Sequence, residues 1–157
     1  MTRSAIVEKF TKDTSVQVSL SLNGGPLDLL PEHDTKSYDP YPCEIFQLEF
    51  EIDDHHTAQD TFLAIGEVFS KALGNRKGIK RFRDAHVPHD ESLARAVIDI
   101  SSRPYFSGKL NFKDSKIGNL TTQMIPHCLQ SFSQTAGVTL YIDVLKGDND
   151  HRAEASF

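Results

Sequence analysis

Val16, Val18, Leu20 and Leu22 alternate with Gln17, Ser19 and Ser21, and this period of two predicts a half-buried strand. Gly24-Gly25-Pro26 ends it. The preceding segment, Ala5 to Thr11, is expected to pair with it as an antiparallel neighbour. The same alternation returns at Phe46, Leu48, Phe50 and Ile52, at Ala94, Ala96, Ile98 and Ile100, and at Val138, Leu140, Ile142 and Val144. A further strand is expected after Pro104, through Phe106, Leu110 and Phe112. Elsewhere the spacing changes to three and four. Phe62, Ile65, Phe69 and Leu73 mark a helix that Asp54 can cap and Gly74 can close. A second helix is expected over Leu120 to Ala136, with Pro126 in or near its first turns and Gly137 at its end. Between Pro26 and Pro42 the chain is rich in proline and charge, with little apolar periodicity. That stretch reads as a loop or a poorly ordered insert.

A repeat organises these elements. His56-Thr-Ala-Gln59-Asp-Thr-Phe62 and His151-Arg-Ala-Glu154-Ala-Ser-Phe157 carry His, an acid or amide, and Phe at identical offsets. Each follows an acidic run that leaves a strand. Two copies of a strand-then-His-rich-helix unit imply a pseudo-twofold architecture. The expected unit is a single α+β domain over 1–157, with pseudo-repeats at about 1–80 and 81–157.

Composition narrows the partners. At 157 residues the chain suits one domain. Its formal net charge of −5 argues against nucleic acid as the main partner, leaving room for a local basic pocket. Cys43 and Cys128 each sit in an apolar stretch, as buried free thiols of a reducing compartment would. Met1 to Lys12 contains no apolar block, and no run approaches the roughly 20 apolar residues of a membrane span. A soluble, cytoplasmic protein with no membrane partner is expected.

The candidate chemistry lies in histidines and arginines. On a helix, positions three and four apart share a face, so His55 and position 59 could grip one metal while His56 points to a neighbouring site. Imidazoles with a carboxylate suit Mn, Fe or Zn, but one pair is too few ligands. His127 and His151 are the candidates to complete the set. The bland alternative is a solvated helix start. Arg81 follows the turn at Gly78-Ile79-Lys80, and Arg103 precedes Pro104 at a strand end. The planar fork of arginine suits phosphate oxygens, with surface ion pairing as the alternative. Asp54-His55-His56 also spells a short motif of one class of metal phosphoesterases, but no further aspartate-bearing strand motif of that class accompanies it.

Taken in order, several blocks resemble the imidazoleglycerol-phosphate dehydratase family. Ile52-Asp53-Asp54-His55-His56-Thr57 is similar to the opening of the family's first His-His-x-x-Glu helix. Lys77-Gly-Ile-Lys-Arg81-Phe82, Val87-Pro-His-Asp-Glu91-Ser-Leu93 and Asp99-Ile-Ser-Ser-Arg103-Pro104 follow in the family's order and spacing. Met124-Ile-Pro-His127, Thr139-Leu140 and Gly147-Asp-Asn149-Asp-His151-Arg-Ala-Glu154 continue the likeness. The resemblance is loose from Ala5 to Leu22 and close from Glu51 to Phe157.

The resemblance implies an α+β fold of two related βα halves, each a mainly antiparallel sheet backed by helices, of the ribosomal protein S5 domain 2-like type. It implies a homo-oligomer, a large symmetric shell with metal sites between subunits. The implied reaction is the Mn²⁺-assisted dehydration of imidazole glycerol phosphate to imidazole acetol phosphate in histidine biosynthesis, with two Mn²⁺ per site. By position, His55, His56, His127, His151 and Glu154 would be metal ligands, and Glu154 also a catalytic base. Arg81 and Arg103 would hold the substrate phosphate.

Several positions depart from the family's pattern. Its Arg-x-Thr-x-Glu-Thr strand reads Lys9-Phe-Thr11-Lys-Asp13-Thr14, so Asp13 stands where a substrate-contacting Glu belongs. Gln59 stands where the first His-His-x-x-Glu ends in Glu, and Asp150 where a second His belongs. No Gly-Phe-Leu-Asp-His-Met-type segment lies between Pro26 and Phe50, and the chain stops at Phe157 before an expected Lys. Helices are therefore expected to be missing from the first half and at the C-terminus. The alternative function these departures imply is a catalytically impaired or inactive truncated member acting as a structural subunit.

Overall fold

The computed structural model describes residues 3–10, 14–23, 43–50, 54–117 and 120–147. The expected insert between Pro26 and Pro42 lies outside them, as do Asp13, His151 and Glu154. Strands Ser4–Phe10 (β1), Thr14–Ser21 (β2) and Cys43–Phe50 (β3) form an antiparallel sheet in that order. Helix Asp54–Leu73 (α1) covers it. Its residues Ala64, Val68 and Ala72 recur every four positions and so share one face. They pack with Val7, Val16, Val18 and Leu20 of the sheet, all buried. Both strands read from alternation are present here, with the expected antiparallel neighbour.

The rest of the chain builds a second layer. Phe82–His89 (β4), Ser92–Asp99 (β5) and Tyr105–Lys109 (β6) precede a short ladder of Lys116–Ile117 (β7) and Leu120–Thr121 (β8). Helix Met124–Ala136 (α2) and strand Thr139–Lys146 (β9) follow. The sheet order is β4-β5-β9-β6, antiparallel except where β6 runs parallel to β9. Ile125 and Leu129 of α2 are buried with Leu110, Leu140 and Ile142 beneath them. The α+β class and the mainly antiparallel sheets agree with expectation.

Three local readings differ. β4 has no alternation to betray it, because it is an edge strand with nearly every residue exposed. Its Pro88 is tolerated there, since an edge strand can spare a donor. The strand after Pro104 stops at Lys109, and Leu110 enters the core beyond it. Helix α2 starts at Met124, not Leu120, because Leu120 and Thr121 are taken by the β7–β8 ladder. Pro126 falls in the first turn, where a missing N–H costs nothing. Gly137 closes the helix in the left-handed conformation with φ 63°, and Gly74 follows α1 with φ 59°.

The two layers meet along their helices. A Cβ on Gly66 of α1 would collide with the Thr135 hydroxyl and lie 2.6 Å from the Phe132 carbonyl oxygen. Only glycine allows so close a crossing with α2. Phe69 and Phe132 meet beside it in a tilted pair, ring centroids 5.8 Å apart. Cys128 is buried and free, and burial pushes its thiol up to about 11. No helix among the described residues is long and apolar enough to cross a membrane.

Candidate functional site

Arg81 and Arg103 are brought together by strand pairing. Phe82 of β4 lies opposite Asp99 of β5, and the Ile100 amide donates to the Arg81 carbonyl at 3.0 Å. This leaves the Arg81 side chain beside the end of β5. Its Nε donates to Asp99 Oδ1 at 2.6 Å and its Nη2 to Oδ2 at 2.9 Å, a two-point fork. The guanidinium also lies over the Phe82 ring, 4.8 Å from its centroid. Hydrogen bonding to Arg81 holds the Asp99 carboxyl below its ordinary range, and the nearby charge of Arg103 adds to this. Asp99 in turn raises the pKa of Arg81. Two cations thus flank one anion at an exposed corner, which keeps a net positive charge towards an incoming anion.

The loop carrying Arg103 is tightly shaped. Ser102 adopts φ 62°, and the Arg103 amide donates to Ser101 Oγ at 3.3 Å. Thr139 Oγ1 donates to the Arg103 carbonyl at 3.0 Å, and the Tyr105 amide to the Val138 carbonyl at 3.1 Å. The loop is therefore fastened to the start of β9. Asp99, Ser101 and Thr139 were not singled out from sequence as site residues. Their signal was weak, since only the register of β4, β5 and β9 shows what each one touches.

The histidines lie elsewhere. His55 and His56 occupy the first turn of α1, where His56 is exposed, and His127 is exposed in the first turn of α2. Gly66 abuts Phe132 and Ala136, and Arg76, just past α1, reaches Ala136 and Gly137. The C-terminal ends of the two helices are thus together, near Arg81 and Arg103. At about 1.5 Å of rise per residue, His56 stands about 25 Å back along α1 and His127 about 15 Å back along α2. β9 returns from that corner and ends at Lys146, so the chain leaves the described residues toward the His127 end.

Exposed imidazoles are donors that Mn, Fe and Zn accept. Among the described residues, however, no group of three His, Cys, Asp or Glu is close enough to hold a metal ion. The donor type fits and the number does not, so a complete set must draw on other residues. A further ion pair steadies this end. Lys9 Nζ of β1 meets Asp60 Oδ1 of α1 at 2.8 Å, and both side chains are largely buried. Lys9 is the residue found where the family pattern has Arg.

The family model for imidazoleglycerol-phosphate dehydratase matches residues 45–157. The chain belongs to this family. The imidazoleglycerol-phosphate dehydratase of Phaffia rhodozyma is 44% identical, over 99% of this chain and 83% of its own length. That of Trichoderma harzianum is 38% identical, over 99% and 91%. The Phaffia alignment runs over 175 positions, more than the 157 residues available here. That relative therefore carries internal residues with no counterpart in this chain. Among solved structures, the fold is similar to imidazoleglycerol-phosphate dehydratase from Staphylococcus aureus, with a TM-score of 0.74 and 24% identity. That match covers 98% of this chain and 90% of the other. The enzyme from Pyrococcus furiosus, in complex with (S)-C348, gives a TM-score of 0.72 at 21% identity, covering 96% and 86%. The family is one of hydro-lyases, and its reaction is the dehydration step of histidine biosynthesis that acts on a phosphorylated imidazole.

Proposed function

We propose that this chain dehydrates imidazole glycerol phosphate to imidazole acetol phosphate, in the cytoplasm, as part of a homo-oligomer. The observation that carries the reading is the Arg81–Asp99–Arg103 cluster, two exposed guanidinium groups set around one carboxylate. Arg81 and Arg103 would take the substrate phosphate, a dianion that suits two planar forks. His55, His56, His127, His151 and Glu154 would hold Mn²⁺. When bound, the metal would supply Lewis acidity and a template for the imidazole ring.

The chain's own groups account for the remaining steps. Glu154 would accept the proton from the carbon beside the one that bears the departing hydroxyl. As that C–H bond and the C–O bond break a C=C bond forms, and the hydroxide would leave as water with the proton that Glu154 returns to it. The resulting enol then becomes the ketone. Asp13 would contact the substrate. The span of about 25 Å along α1 between His56 and the helix end beside the arginine corner exceeds what a small sugar phosphate can bridge. It therefore favours a site assembled from the histidine end of one copy and the arginine corner of another.

The test combines turnover and mass. Purified chain is loaded with Mn²⁺, its metal content and particle mass are measured, and imidazole glycerol phosphate is supplied. A large, manganese-bearing particle that releases the ketone supports the reading. A small, metal-poor species without turnover overturns it and leaves the family membership intact.

A further inference from the structure

Arg76 has no part in the chemistry described so far, yet it makes an unusual set of bonds. It lies in the turn after α1 with φ 55°, a left-handed conformation that a non-glycine residue adopts at some cost. Its guanidinium is spent on carbonyls of the other layer. Nη1 donates to the Gly137 carbonyl at 2.8 Å, and Nη2 to the Ala136 carbonyl at 2.7 Å. Nη2 also reaches Ser70 Oγ at 3.2 Å. A cation on the last carbonyls of α2 is well placed against the negative end of the helix dipole.

The position of that grip gives it a consequence. Gly137 leads through Val138 to Thr139, and both of these hold the Arg103 loop. A Cβ on Gly137 would lie 3.1 Å from Arg76 Nη2 and 3.6 Å from the Ser102 Cα, so the guanidinium and the loop both crowd the same glycine. The backbone of Arg76 also belongs to the segment that leads to Arg81. One residue therefore links the mounts of both arginines.

We propose that Arg76 is a positioning residue of the phosphate site, which sets the spacing of Arg81 and Arg103 without touching the substrate. The inference rests on the reading that those two arginines bind phosphate. A residue of this kind should act on phosphate affinity and KM, leaving kcat nearly alone, because the two forks hold the same group throughout the reaction.

The experiment uses the full chain, with inorganic phosphate as the binding probe and turnover measured alongside. Arg76→Ala and Arg76→Lys are compared with Arg103→Ala. Support is a rise of about tenfold in both the phosphate Kd and KM for Arg76→Ala, with kcat within about twofold, as for a lost charge-assisted bond. Arg76→Lys should recover part of the loss, and it remains informative if the alanine variant folds poorly. If Arg103→Ala weakens phosphate but neither Arg76 variant does, the positioning role is wrong and the phosphate reading stands. If Arg103→Ala leaves phosphate binding unchanged, both fall together.

Discussion

The two sheets share a plan and differ in how they are covered. In each, a hairpin is extended by a third antiparallel strand beside its second strand, β3 on β2 and β9 on β5. In each, the register slips after the second residue of the central strand, between Ser15 and Val16 and between Leu93 and Ala94. Even the helix ends match. Arg3 donates to the Leu73 carbonyl at the end of α1 as Arg76 does to carbonyls at the end of α2. The first sheet, however, buries its central strand on both faces, with Val18 and Ser19 each at 0% exposure. The second buries one face under α2 and leaves Phe82, Tyr105, Tyr141 and Leu145 largely exposed. A shared plan thus sets pairing and register, while covering is set separately by what each face meets. Under the proposed function, the open face of the second sheet is where another copy could pack.

Neighbouring residues of β9 test this difference most sharply. Ile142→Ala should cost about 3 kcal/mol in denaturant unfolding, because it empties space under α2 that the layer cannot refill. Tyr141→Ala, one residue away on the open face, should cost no more than about 0.5 kcal/mol in the dissociated chain. Equal losses in the dissociated chain would break the contrast, whereas a Tyr141 cost confined to the assembled particle would mark that face as covered by another copy.

The seam between layers should be nearly as sensitive. Gly66→Ala forces a methyl into the backbone of α2, and overpacking of this kind costs about 2 kcal/mol. A drop of roughly 5 °C in Tm is expected, and an unchanged Tm would mean that the helices are not in register at Gly66.

The smallest effect concerns acid. Hydrogen bonding to Arg81 depresses the pKa of Asp99, so its contribution is present above the ordinary carboxylate pKa of about 4. It is lost as pH falls through the depressed folded value. Asp99→Asn should therefore lower Tm slightly at pH 7 and match the parent below the ordinary carboxylate range. A gap between the two that widens with acid would contradict the pairing.

Much of this could be read along the chain. The strands β2, β3, β5 and β9 follow from alternation, and β1 was expected as the antiparallel neighbour of β2. Both helices and their glycine ends were legible in the same way, since Gly74 and Gly137 stop a three-to-four periodicity. Arg81 and Arg103 stood out by residue type and by their turns. By contrast, β4 left no trace, because an exposed edge strand needs no apolar period. Asp99 looked like one more polar strand residue until pairing set it against Arg81. Arg76 was silent, as its partners are backbone carbonyls sixty residues away. Asp13, His151 and Glu154, also read from sequence, lie outside the described residues.

The sequence by itself determined the family, the layer type and the identity of the candidate ligands, because these depend on local periodicity and on ordered motifs. Only the tertiary structure decided where those groups stand. It put the arginines at one corner and the candidate ligands His55, His56 and His127 at the far ends of the helices, since strand register and a glycine-lined helix crossing are long-range facts. Distance between sites is a property of packing, and no local pattern encodes it.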